Sequence, residues 1–212
     1  MENTIITNRH KHKRRGKWLL LSATLLLLSV IAIILYSCTS KSNIVSELYN
    51  ISVPDYVDVQ YLPKGVLNSR KGIELKEINN IVVHYVGNPG TTAQQNRDYF
   101  SNTGVEVNSH FVIGLDGEII QCVPLYERSS ASNWRNKDTI SIEVCHPDES
   151  GEFNQETVDS LINLIVWLCK TCNLDEDDVI RHYDITGKLC PLYYVQNEDA
   201  WDNLISQIEN NL

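Results

Sequence analysis

The order of apolar and polar positions along the chain predicts one mixed α/β domain preceded by a single long apolar segment. Ile81-Val82-Val83-His84-Tyr85-Val86 is β-branched and apolar and predicts a buried strand. Asn88-Pro89-Gly90 ends it. Thr92 to Phe100 predicts a short helix capped by Thr91 or Thr92. Phe111-Val112-Ile113 and Glu118-Ile119-Ile120-Gln121 flank Gly114-Leu115-Asp116-Gly117. The Asp-Gly pair suits the positive φ angles of a tight turn, so this stretch predicts a β-hairpin. Thr139 to Cys145 alternates in part and predicts a further strand.

A helix should follow, capped by Asn154 and running to about Cys172. Val158, Leu161, Ile162, Ile165, Leu168, Cys169 and Cys172 keep the three-four spacing of one buried face, and Leu164, Val166 and Trp167 widen it. Arg181 to Pro191, with Gly187 and Pro191, predicts a loop. A last helix from about Glu198 carries Trp201, Leu204, Ile205 and Ile208 on its apolar face. Strands mixed with helices, one pair of them a hairpin, predict an α/β fold with a mixed central β-sheet flanked by helices. No repeat recurs along the chain, which excludes a solenoid or propeller.

Ahead of this domain, Trp18 to Tyr36 is a run of 19 residues without a charge. As a helix it would span ~28 Å, close to the hydrocarbon thickness of a bilayer. Trp18 and Tyr36 bracket it as interfacial aromatics do. Residues 1–17 hold six basic residues against Glu2, a net +5, so the remainder carries −14 of the overall −9. A basic flank before an apolar run predicts a cytoplasmic N-terminus and an extracytoplasmic body. Two forms of attachment fit: an uncleaved single-pass signal anchor, or a lipoprotein signal with Leu35-Tyr36-Ser37-Cys38 as processing box and Cys38 lipidated. Tyr36 is unusual for such a box and the run is long for a cleaved signal, so the anchor is preferred. The expected organisation is a basic N-terminus at 1–17, a membrane segment at 18–38, a polar tether at 39–54 and one domain at 55–212.

An acidic body offers no basic groove, which argues against a nucleic-acid partner. The six cysteines are Cys38, Cys122, Cys145, Cys169, Cys172 and Cys190. They do not form the spacing of a disulfide scaffold, and the body is long enough to bury its own core. Cys169 and Cys172 have CxxC spacing but fall at a helix C-terminus. A redox site wants the N-terminus, where the helix dipole lowers a thiol pKa, so core packing is the expectation. Asp175 to Asp178 lacks the alternating ligands of a calcium loop.

His84, His110, His146 and His182 lie in the body. His84 ends a buried strand beside a Gly/Pro loop, and His182 and Cys190 share one loop, eight residues apart. Two imidazoles and one thiolate form a common catalytic zinc set with an open fourth position and a net charge of about +1. Taken singly, each residue could equally be a satisfied core side chain.

The strings IVVHYVGNPG, SHFVIGLDGEIIQCVP, SIEVCHPDESG and RHYDITGKLCP, in this order and separation, resemble the type 2 zinc-dependent N-acetylmuramoyl-L-alanine amidases, a family that includes peptidoglycan-recognition proteins. The resemblance covers about residues 60–195. It implies zinc held by His84, His182 and Cys190, with Glu143 as acid/base carboxylate and Lys188 stabilising the oxyanion. It further implies hydrolysis of the amide joining N-acetylmuramic acid to L-alanine in peptidoglycan, by a protein expected to act as a monomer. Where some members carry a catalytic Tyr before the hairpin His, this chain has Ser109, which leaves the base role to Glu143. His110, Asn88, Asn133 and Asn136 are candidate substrate contacts, with a packing role for His110 and surface turns for the asparagines as the alternatives. The rival expectations are a non-catalytic peptidoglycan receptor, a thiol oxidoreductase on Cys169 and Cys172, and a zinc peptidase.

Overall fold

A computed structural model of the 212-residue chain describes residues 26–32, 44–65 and 69–212. It divides into two units, Met1–Ser40 and Lys41–Leu212. In the first, residues 26–32 are helical and exposed. The basic segment 1–17, most of the apolar run 18–38, Cys38 and the start of the expected tether lie outside the described residues. Among the described residues no helix is long and apolar enough to cross a membrane.

The second unit is built on one six-stranded sheet. Its strands are β1 (Val57–Val59), β2 (Asn80–Tyr85), β3 (Phe111–Ile113), β4 (Ile119–Gln121), β5 (Thr139–Val144) and β6 (Val179–Arg181). They lie in the order β1-β4-β3-β5-β2-β6. β3 and β4 are antiparallel, and every other neighbouring pair is parallel. The sheet is therefore mixed, as the sequence predicts, and β2, β3, β5 and β6 end on the same edge. The helices are α1 (Ala93–Phe100), α2 (Gln155–Cys172), α3 (His182–Thr186), α4 (Leu192–Gln196) and α5 (Glu198–Glu209).

Side chains alternate across a strand, and the alternation sorts the two faces. Ile81 and Val83 of β2, Phe111 and Ile113 of β3, and Ile140, Ile142 and Val144 of β5 enter the large core with Leu161, Leu164, Ile165 and Leu168 of α2 and Leu204 and Ile208 of α5. On the opposite face Val112 and Ile120 join Leu62, Ala93 and Phe100 in a smaller core under α1. His84 and Glu143 have the parity of this second face. α2 starts where expected: Asn154 accepts the N–H of Thr157 at 2.9 Å, and the helix ends at Asn173 in the left-handed region. Thr92 caps α1 in a capping box with Gln95.

Several expectations need correction. The hairpin loop has five residues, and only Gly117 takes a positive φ, 78°. Asp116 does not. Part of the expected loop 181–191 is regular, because β6 reaches Arg181 and α3 follows without a break. The described part of the tether is packed on the domain: Val45 and Leu48 are buried in the large core, and Tyr49 stacks on Tyr126 with ring centroids 4.0 Å apart.

His110, just before β3, is fully buried. The backbone N–H of Ser141 donates to its Nδ1 at 3.0 Å, and its Nε2–H donates to the carbonyl of Glu127 at 2.8 Å. These two bonds select one neutral tautomer. Protonating Nδ1 would set N–H against N–H, and burial pushes the pKa down to about 4. A depressed histidine leaves stability intact above its unfolded pKa and erodes it below. We expect stability to fall by ~1.4 kcal/mol per pH unit from about pH 6.5 towards 4, about 3 kcal/mol in all, from this residue. An NMR titration of the ring, paired with urea unfolding across that range, checks it. A His110 ring titrating near 6.5 in the folded protein would refute it.

Candidate metal centre

The shared edge of the parallel strands opens into a cleft of about 1030 Å³. This is where open α/β sheets place ligands, outside the carboxyl ends of their strands. His84 is the fifth of six residues in β2, and its register partner across the β2–β5 pair is Glu143, the fifth of six in β5. His182 is the first residue after β6. Cys190 returns on the far side of α3, whose Gly187 cap takes φ 74°, and the Tyr183 N–H donates to the Cys190 carbonyl at 2.9 Å. The expected trio thus converges: the ligand atoms of His84, His182 and Cys190 all lie within 4.8 Å of one another. The two rings are 4.6 Å apart at their centroids, and Cys190 Sγ is 3.9 Å from His84 Nδ1.

All three side chains are buried. Burial, then the neighbouring His182 and the Lys188 charge, drives the His84 pKa well below its usual value. Burial, then Lys188, lowers that of His182. The Cys190 thiol is pushed up to about 12 by burial, with Glu143 adding to the rise. Burial thus favours the neutral form of both imidazoles and of the thiol. Burial raises Glu143 to about 8, and Lys188 pulls the other way.

Two polar atoms here are withdrawn from solvent and lack a hydrogen-bond partner: His182 Nδ1 and Glu143 Oε2. Buried polar atoms are nearly always paired. A buried, unpaired nitrogen on an imidazole grouped this closely with a second imidazole and a sulfur fits a bound cation, and the N₂S donor set suits a borderline-soft divalent ion.

The remaining site expectations divide. Lys188 and Asn88 line the cleft with the trio and Glu143. Asn133 and Asn136 also line it, but their side-chain oxygens are committed inside the protein. Asn133 Oδ1 pairs with His182 Nε2 at 2.9 Å, and Asn136 Oδ1 accepts the N–H groups of Ala131 and Ser132 at 3.0 and 2.6 Å. His110 lies inside the protein, where it joins Ser141 to Glu127. Ser132, which sequence reasoning passed over, reaches His84 Nε2 at 3.3 Å. A short polar residue in a loop leaves no signal of such a role. Cys169 and Cys172 are buried, unbridged, and pushed up to about 12 by burial, so neither is a poised thiolate. Asp175 and Asp178 close a capping box on each other.

Residues 74–192 match the family described as N-acetylmuramoyl-L-alanine amidase. The chain is 33% identical over 162 residues to the N-acetylmuramoyl-L-alanine amidase BlyA of Bacillus subtilis (strain 168), covering 66% of this chain and 44% of that protein. It is 27% identical over 161 residues to the N-acetylmuramoyl-L-alanine amidase CwlL of Bacillus licheniformis, covering 68% and 44%. A solved structure described as a mutant endolysin from Bacillus subtilis superposes with a TM-score of 0.63 at 28% identity, over 72% of this chain and 97% of that one. The chain thus spans about half the length of the curated relatives it matches.

Cobalt(II), a coloured stand-in for a spectroscopically silent ion, should give a thiolate-to-metal charge-transfer band on titration into the protein. Cys190→Ser should remove the band and weaken binding by more than the roughly 10–100-fold that loss of an outer partner costs. An unchanged band in the variant would show that the sulfur is not a ligand.

Proposed function

Because this chain belongs to the N-acetylmuramoyl-L-alanine amidase family, we propose that it is a zinc-dependent hydrolase of the amide between N-acetylmuramic acid and L-alanine in bacterial peptidoglycan. The observation that carries this reading is the meeting of His84, His182 and Cys190 within 4.8 Å, in the cleft that Glu143 also lines. When bound by these three residues, zinc supplies Lewis-acid polarisation of a carbonyl and of water.

The side chains of the cleft do the rest. The Glu143 carboxylate takes a proton from the attacking water and delivers it to the amide nitrogen as the C–N bond breaks. The products are a muramoyl carboxylic acid and a free L-alanine amino terminus. Glu143 must be ionised to begin, and its elevated pKa makes it both a stronger base and a competent donor for the second transfer. The Lys188 ammonium, already felt electrostatically by Glu143 and both histidines, offsets the charge that builds on the carbonyl oxygen. Asn88 has a place on the cleft wall from which to contact substrate.

The proposal extends to location. The basic residues at 1–17 followed by the uncharged run at 18–36 support a single-pass anchor that holds the domain outside the cytoplasm. Lipidation at Cys38 is the alternative. The domain is proposed to act as a monomer.

Digestion of purified peptidoglycan tests the activity. New L-alanine amino termini should accumulate, and should stop when zinc is chelated. Cleavage elsewhere in the stem peptide, or cleavage indifferent to the chelator, would sink the reading. Glu143→Gln should cut turnover by about 10²–10⁴-fold while zinc content stays at the native level. The mass of the native chain beside Cys38→Ala separates the two attachments: a signal anchor keeps residues 1–37 in both, whereas a lipoprotein is cleaved and lipidated in the native chain and stays full length in the variant.

A further inference from the structure

The turn before β5 touches both imidazoles of the metal centre from behind. Ser132 Oγ is 3.3 Å from His84 Nε2, and Asn133 Oδ1 is 2.9 Å from His182 Nε2. The other nitrogen of each ring faces inward. His84 Nδ1 looks onto the Cys190 sulfur, and His182 Nδ1 is buried without a partner. An imidazole that presents Nδ1 to a cation must carry its proton on Nε2. We propose that Ser132 and Asn133 are positioning residues that accept these Nε2 protons and so hold both histidines as the tautomer whose Nδ1 is ready for the ion. This inference rests on the zinc reading above.

The turn is built to keep those acceptors in place. Asn136 Oδ1 binds the backbone N–H groups of Ala131 and Ser132, and the Arg135 N–H donates to the Ser132 carbonyl at 2.9 Å. Arg135 is itself held by Asp138 at 3.0 Å. Asn133 sits at φ 53°, in the left-handed region that non-glycine residues avoid. Asparagine tolerates that region better than most residues, and here the conformation directs a carboxamide at His182. Only one orientation of that carboxamide works, since its NH₂ group would oppose Nε2–H. Asn133, with the shorter bond, is expected to matter more than Ser132.

The test uses the full chain and three variants, Asn133→Gly, Asn133→Ala and Asn133→Asp. Glycine is at ease at φ 53°, so Asn133→Gly removes the acceptor without adding backbone strain. Asn133→Asp keeps an acceptor. Zinc affinity is measured by competition with a chromogenic chelator, and histidine tautomers by ¹⁵N NMR of the imidazoles. Asn133→Gly and Asn133→Ala should bind zinc about 10–100-fold more weakly than the native chain, with Asn133→Asp returning to within a few-fold. In the metal-free native protein His182 should be protonated at Nε2. In Asn133→Gly it should become a mixture of tautomers while His84 keeps its own. Zinc affinity within twofold of native in Asn133→Gly, or an unchanged His182 tautomer, would overturn the proposal. The tautomer measurement needs no ion. It therefore decides the positioning role even if the native chain takes up no zinc, a result that would count against the zinc reading instead.

Discussion

The site depends on the in-register parallel pairing of β2 with β5. That pairing sets His84 opposite Glu143 and puts both on the sheet face that looks into the cleft. A slip of one residue would turn every side chain of the strand over. What prevents it is the other face. Ile140, Ile142 and Val144 of β5 enter the large core beneath α2, and burying three such side chains is worth roughly 5–9 kcal/mol. That is comparable with the whole stability of a typical domain. A slipped strand would lose that burial and place Ser141 and Glu143 in an apolar core. The hydrophobic alternation of one face is thus what aims the chemistry of the other.

The electrostatics follow from that placement. Gathering two imidazoles, a thiol and a carboxyl where water is scarce pushes each towards its neutral form, as the low histidine pKa values and the raised Cys190 and Glu143 values show. A divalent cation reverses the balance by favouring a thiolate and an ionised carboxyl, so that ion uptake and proton release are linked. Lys188 lies on the solvent side of this arrangement. It is exposed, yet close enough to act on Glu143 and both histidines.

Much of this was legible in the sequence wherever the signal was local. The α2 stripe from Val158 to Cys172, the Asn154 cap and the two halves of the hairpin rest on periodicity and short-range hydrogen bonding, and they came out nearly residue for residue. The trio of His84, His182 and Cys190 is legible only as a pattern spread over more than a hundred positions. Nothing in the neighbourhood of His84 announces Cys190. Short elements were the failures. β6 has three residues, and α3 begins at a histidine directly after it, too brief a stretch for either period to register. Val45 and Leu48 sit among polar residues and read as tether because the groove they fill is made by distant parts of the chain. Asn133 and Asn136 line the cleft, but a sequence cannot tell an amide that faces substrate from one that holds a turn.

The segment that carries His182 and Cys190 is anchored independently of the cleft. Arg181, the last residue of β6, pairs with Asp184 at 3.1 Å and Glu198 at 2.7 Å, and lies over the ring of Trp201 at 5.3 Å. Its N–H is also capped by Asp184 at 2.8 Å. These contacts tie the end of β6 to α3 and α5 one residue before His182, while the Tyr183 N–H holds Cys190 from the other side of the same short helix. His182 and Cys190 are thus held by one short segment, and His84 stands on β2, the strand that pairs with β6. A cation bound by all three would link the segment after β6 to the neighbouring strand β2, so its binding would add to the stability of the folded domain.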